Sequence, residues 1–185
     1  TFEVSSPPAA DGAVSLSVAV VDVAGNDAAG SDDVALDTAT PEVASATVTH
    51  AGDDDVVRDG DTVRVAVDVT DATSGLASVT VDASPLGGPA SVELTGSGGD
   101  GRYAATFVVT TPAADDGAVS LTVTATDVAG NDATGSDAVT LDSAAPDIER
   151  VTATETGADH TVATGDTVRV SVEATDATGD VAAVT

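Results

Sequence analysis

The sequence predicts an all-β protein assembled from tandem β-sandwich repeats of about 105 residues. Three observations lead there. Segments rich in Val and Thr alternate apolar and polar residues with a period of two, the spacing of half-buried strands. Short stretches rich in Gly, Pro, Asn and Asp separate them. A long block of sequence occurs twice.

The repeat fixes the frame. Residues 11–41 read DGAVSLSVAVVDVAGNDAAGSDDVALDTATP, and residues 116–146 read DGAVSLTVTATDVAGNDATGSDAVTLDSAAP; they match at 22 of 31 positions. The same offset of 105 carries Phe2 to Phe107, Pro41 to Pro146, Asp71 to Asp176, and GDTVRV at 60–65 to 165–170, without a gap. A period of this length is that of a domain, so the units read as beads in series rather than a solenoid. The phase divides the chain into the back part of one unit (1–40), a complete unit (41–145) and the front part of another (146–185). The chain is therefore expected to begin and end within units. Its end pieces are expected to be completed by residues beyond it or by strand addition from a neighbouring copy.

Within 41–145 the strands follow in order. Val43–Thr49 is the first. Thr62–Asp71 puts Val63, Val65, Val67 and Val69 on one face and Arg64, Asp68 and Thr70 on the other. Leu76–Asp82, Ser91–Leu94 and Arg102–Thr110 come next. Ala118–Asp127 turns Val119, Leu121, Val123 and Ala125 inward and Ser120, Thr122, Thr124 and Thr126 outward. Asp137–Leu141 is last. AGDDD, SGL, PLGGP, GSGGDG, PAADDG and AGND between them read as turns. About seven short strands with regular turns are the signature of an immunoglobulin-like or fibronectin-like sandwich. The expected core gathers Val63, Val65, Val67, Val69, Leu76, Val79, Val81, Tyr103, Phe107, Val119, Leu121 and Val123.

Composition constrains what such a unit can be. Aromatic residues are 2% of the chain (Phe2, Tyr103 and Phe107), and Cys, Met and Trp are absent. The interior must be filled by Val, Leu and Ala, and there are no disulfides or thiolate chemistry. Thirty-two acids face five bases, all Arg (Arg58, Arg64, Arg102, Arg150 and Arg169), for a net charge of −27. A surface of this kind repels itself in dilute solution. In molar salt the Debye length is about 3 Å and the repulsion is screened. Nucleic acid and anionic membranes need a basic face, so neither is an expected partner. No apolar run approaches the roughly 18 residues of a membrane-spanning helix, so direct membrane insertion is not expected.

Two resemblances follow. The acid-rich, Lys-free composition resembles that of halophilic archaeal proteins. The stretches VDVTDATSGLASVTVD and TATDVAGNDATGSDAVTLDSAAP, with their D-x-AGN turn and LD-xx-xP junction, resemble the tandem bacterial and archaeal Ig-like (Big-type) repeats of giant adhesins and other cell-surface proteins. The resemblance covers the whole chain. It implies an extracellular, cell-surface location and a place among other repeats of the same protein.

No catalytic constellation stands out. His50 maps to Glu155 across the repeat, and His50 and His160 read as solvated loop residues. There is no G-x-S-x-G, and the Gly-rich GSGGDG has neither a following helix nor a Lys for phosphate. The run Asp53-Asp54-Asp55 reads as a solvated loop. A second set of acids is gathered by topology, because loops of a Greek-key sandwich collect at its two ends. The start of the first strand, the second-to-third-strand turn and the last hairpin turn share one end. Asp37, Glu42, Asp71, Asp127 and Asp132 should converge there, with Asp142, Asp147 and Asp176 as the equivalents at the next junction. Several carboxylates beside a Gly-bearing turn suit Ca²⁺, a hard cation that takes oxygen ligands. The family resemblance also implies Ca²⁺ at unit junctions.

The function expected is structural and non-enzymatic: a spacer or stalk module of an adhesin, surface-layer protein or filament of a halophile. The alternatives are a ligand- or sugar-binding module, and an accessory region of a secreted enzyme.

Overall fold

The computed structural model describes residues 10–50, 56–96, 101–156, 161–179 and 181–185. Asp53, Asp54 and Asp55, the middle of the GSGGDG turn and His160 lie outside these residues.

The protein is all-β, as the alternation predicts. The strands of the described residues are β1 (Gly12–Val21), β2 (Asp27–Leu36), β3 (Glu42–His50), β4 (Val56–Val57), β5 (Thr62–Thr70), β6 (Leu76–Val81), β7 (Val92–Glu93), β8 (Thr95–Gly96), β9 (Arg102–Val108), β10 (Gly117–Asp127), β11 (Asp132–Leu141), β12 (Asp147–Glu155) and β13 (Val168–Thr175). A single turn of 3-10 helix, Ser84–Leu86, interrupts them.

Residues 42–141 form two sheets. One runs β3-β5-β9-β8 and the other β4-β11-β10-β6-β7. Lettered in chain order, these are strands A-B-E-D against G-F-C, the arrangement of an immunoglobulin-like sandwich. Alternation on each strand sends one face into the space between the sheets. Val63, Val65, Val67 and Val69 of β5 meet Val79 and Val81 of β6 and Val119, Leu121, Val123 and Ala125 of β10. Full burial of each Val or Leu contributes about 1.5–3 kcal/mol. Leu76, Tyr103 and Phe107, expected in this core, are partly buried and pack against it. Val57, Leu86, Leu94, Val109, Val139 and Leu141 complete it.

The two flanking pieces repeat parts of this plan. β1 and β2 pair from Gly12↔Leu36 to Val21↔Asp27, the register of β10 and β11 shifted by one repeat. β12 and β13 repeat β3 and β5, down to the irregularity between Ile148 and Arg150 that matches the one between Val43 and Ser45. Each piece is a two-stranded sheet. Their apolar faces are open: Leu16 is 43% exposed, Val18 65%, Val168 42% and Val170 61%.

Two contacts seal β3 onto β11. A Cβ added at Gly135 would lie 2.7 Å from Val43 Cγ1, so the glycine is the room that Val43 occupies. Two residues on, Asp137 faces inward and its Oδ2 accepts the Val48 N–H at 2.8 Å. β3 is an edge strand, and an inward-facing charge of this kind protects such an edge against further pairing.

Candidate metal centre

The D-x-AGN turn builds the first wall of the site. Asp127 ends β10, and its Oδ1 accepts the backbone N–H groups of Gly130 (2.7 Å) and Asn131 (2.8 Å). Its Oδ2 accepts Asn131 Nδ2 at 2.8 Å. Gly130 carries φ +95°, a conformation that favours glycine. The side chain is 1% exposed. Burial by itself raises the carboxyl pKa, but the hydrogen bonds from the Asn131 side chain, then from the Asn131, Gly130 and Ala129 N–H groups, outweigh it and hold Asp127 below the ordinary carboxylate value. Asp127 is therefore a carboxylate at neutral pH. The same turn recurs at Asp22, whose two oxygens take the Asn26 N–H and Nδ2 at 2.8 and 2.7 Å.

The turn after β5 builds the second wall. Asp71 Oδ1 accepts the N–H groups of Thr73 (3.1 Å), Ser74 (2.9 Å) and Gly75 (2.7 Å). The Ser74 N–H is shared with Asp37 Oδ2 at 3.1 Å. The Ser74 hydroxyl is buried without a hydrogen-bond partner among the described residues.

The segment between β2 and β3 supplies the third. Asp37 follows β2 directly, and its carbonyl oxygen accepts Asn131 Nδ2 at 3.4 Å. One oxygen each from Asp37, Asp71 and Asp127 lies within 4.8 Å of the others. Three of the eight expected acids thus converge as the loop topology requires. Glu42 and Asp132 stand outside the trio: Glu42 is an exposed strand residue opposite Thr70, and Asp132 accepts the Thr126 hydroxyl at 2.6 Å. The ion pairs Arg102–Asp68 and His50–Asp61 involve other carboxylates.

The second junction repeats the first in part. A Cβ at Gly179 would lie 2.6 Å from Asp142 Oδ2 and 3.6 Å from Asp176 Oδ1, so both acids approach this glycine. Asp176 Oδ1 accepts the Thr178 and Gly179 N–H groups at 3.0 and 2.7 Å. Asp142 Oδ1 is buried without a hydrogen-bond partner among the described residues. Asp147 is exposed on β12.

One pair of acids was not singled out from the sequence. Asp116 Oδ1 accepts the Ser143 N–H and hydroxyl at 2.9 and 2.6 Å, and Oδ2 accepts the Ala144 N–H at 3.1 Å. The Ser143 side chain first, and then its backbone, hold Asp116 below the ordinary value. Asp11 does the same to Thr38, through its N–H (3.0 Å) and hydroxyl (2.9 Å). Each joining segment is thereby pinned to the loop before the final hairpin. The signal was present: both acids sit at the same place in the repeat.

His50 corrects the expectation of a solvated loop residue. It is the last residue of β3, its side chain is 11% exposed, and Nε2 lies 3.6 Å from Asp61 Oδ2.

The oxygen-only donor set of Asp37, Asp71 and Asp127 suits a hard divalent cation. Among the described residues no helix is long and apolar enough to cross a membrane.

No family model matches the sequence, and no curated protein matches it. A solved structure described as a tetra-tandem repeat in the extending region of a large adhesion protein is 21% identical, with a TM-score of 0.39. The match covers 88% of this chain and 45% of that one, so the chain spans less than half the length of that structure. Similarity at this level assigns neither fold nor function.

Proposed function

We propose that the chain is a structural spacer of an extracellular, cell-surface protein, in which sandwich units are held in series and a divalent cation, Ca²⁺ by its ligand chemistry, stiffens each junction. The observation that carries this reading is the Asp37–Asp71–Asp127 cluster: a residue of the joining segment meets two end loops of the following unit. Clustered carboxylates repel, and a metal, a counterion or protonation relieves them. The hydrogen bonds around Asp127 oppose protonation. Pro41, the last residue of the joining segment, is buried and fixes φ, which limits bending there. The net charge of −27 suits the same protein to very salty water.

The test is made in several molar NaCl, so that diffuse screening is constant. Ca²⁺ at a few millimolar, the range of extracellular modules at about 10⁻⁴–10⁻³ M Kd, should raise Tm, and EDTA should reverse it. Asp71→Ala and Asp127→Ala should each abolish the rise, while Asp132→Ala keeps it. A Tm and a small-angle scattering profile both indifferent to EDTA would reduce the cluster to surface charge.

A further inference from the structure

We infer that the outer face of the β3-β5-β9-β8 sheet binds an acidic sugar chain of the uronate type, whose carboxylates meet Arg64 and Arg102 and whose hydroxyls meet Asp68. The site lies within residues 42–141 and shares no residue with the Asp37–Asp71–Asp127 cluster, so it goes beyond the spacer reading and does not rest on it.

The few bases of the chain are not scattered. Arg64 on β5 stands opposite Thr106, and Arg102 on β9 stands opposite Asp68, while Val65 and Val67 between them turn into the core. One repeat on, Arg169 holds the place of Arg64, and Arg150 that of Ser45, whose hydroxyl reaches Asp68 on the same face. Four of the five arginines thus belong to one sheet face of a chain with 32 acids. No strand of the opposite sheet contains a base.

On this face lies an open cavity of about 440 Å³, lined by Arg64, Ala66, Asp68, Thr95, Arg102 and Ala104 among others. That volume is within the range of small-molecule sites. Its floor is low because Ala66 and Ala104 face each other across β5 and β9. Arg64 makes no ion pair among the described residues, and Arg102 Nε lies 3.3 Å from Asp68 Oδ1. Since Arg102 is opposite Asp68, the two guanidinium stems start 68 − 64 = 4 residues apart along the strands. That is about 13 Å, so an extended ligand laid along β5 engages both and one small carboxylate does not. Asp68 narrows the ligand further. Its Oδ2 accepts the Ser45 hydroxyl at 3.1 Å, and a carboxylate with about four acceptor positions has room for more donors. An acidic peptide sets like charge against it. A uronate chain brings carboxylates for the guanidiniums, hydroxyl donors for Asp68 and C–H faces for the two alanines. The net charge of −27 repels anions at a distance. In molar salt that repulsion is screened beyond about 3 Å, and the guanidinium–carboxylate hydrogen bonds act at contact.

The test is titration calorimetry on the full chain in about 2 M NaCl. EDTA is present throughout, so that no divalent cation bridges carboxylates and the outcome is independent of the junction cluster. The probes are tetragalacturonate, a neutral galactose tetramer and tetra-aspartate. Tetragalacturonate should bind, and the other two should bind about tenfold or more weakly. Arg64→Gln should weaken the uronate about tenfold or more, and Ala66→Leu, which fills the floor, should do the same. Arg58→Gln makes the same change of charge just after β4, off this face, and should leave the affinity unchanged. Arg58 and Arg64 are exposed and Ala66 is half-buried, so circular dichroism should show the melt retained in each variant. The inference is overturned if tetragalacturonate does not bind at millimolar concentration, if the neutral tetramer binds equally, or if Arg58→Gln weakens binding as much as Arg64→Gln. Equal binding of tetra-aspartate also overturns it and makes the occupant an acidic polypeptide.

Discussion

Asp137 on β11 reaches across the seam between the sheets to the amide of Val48 on β3, 89 residues earlier in the chain. Asp32, its counterpart on β2, accepts the neighbouring Asp33 N–H at 3.0 Å and no other hydrogen bond among the described residues. Asp137→Ala leaves the Val48 amide unpaired at a partly buried position. It should destabilise the sandwich by about 1–3 kcal/mol, the cost of leaving a buried donor without its partner. Asp32→Ala should leave Tm unchanged in the monomer. Equal effects from the two variants would dissolve the seam contact as an explanation.

Val65 is fully buried, and Val170, one repeat on, is open. Val65→Asp places an unpaired charge in the core at a cost of several kcal/mol, enough to unfold a marginally stable unit. Loss of the cooperative melt in Val65→Asp, with the melt retained in Val170→Asp, is the expected pair of results.

With 32 acids against five bases, Tm should climb from low salt to several molar NaCl. A flat melting temperature over that range would remove the argument from charge.

Asp116 is held below its ordinary value of 3.8 by Ser143 and Ala144. A carboxyl with a depressed folded pKa stabilises the fold fully above its unfolded value and loses that contribution as pH falls through the folded one. The stability difference between wild type and Asp116→Asn should be constant above about pH 5 and shrink below pH 4. A difference that grew on acidification would contradict the hydrogen-bond assignment.

A Cβ at Gly87, whose φ is +77°, would fall 1.5 Å from the Thr110 carbonyl oxygen. At Gly130, φ +95°, it would meet nothing within 4 Å. Gly130→Ala should therefore cost about 1–2 kcal/mol, the left-handed backbone alone. Gly87→Ala should cost clearly more and expose Leu86, as read by denaturant midpoints.

The long strands were legible because alternation needs four or more residues to show itself, and β5 and β10 supply nine and eleven. β4 and β8 have two residues each and carry no period. PLGGP reads as a turn and is one, yet it buries Leu86, because a 3-10 turn aims one side chain at the core while its neighbours stay outside. In the cluster, Asp37, Asp71 and Asp127 followed from which loops share an end. Glu42 and Asp132 share that end too, but both lie on exposed strand positions, and loop topology alone does not distinguish them. Asp137 could not be read as a partner of Val48, since nothing local marks a hydrogen bond spanning the whole unit.

The short strand β4 has a mechanical consequence. It lies parallel to β11, with Val56 beside Thr140 and Val57 beside Leu141, and the Val57 carbonyl takes the Asp142 N–H at 2.9 Å. β4 lies near the start of the unit and β11 at its end. A pull on the two ends therefore drags these neighbours in opposite directions along their length. The bonds between them are loaded in shear, side by side, and must yield together rather than open one at a time like a zip. With β3 drawn off, this patch two residues long is what the tension has to break next.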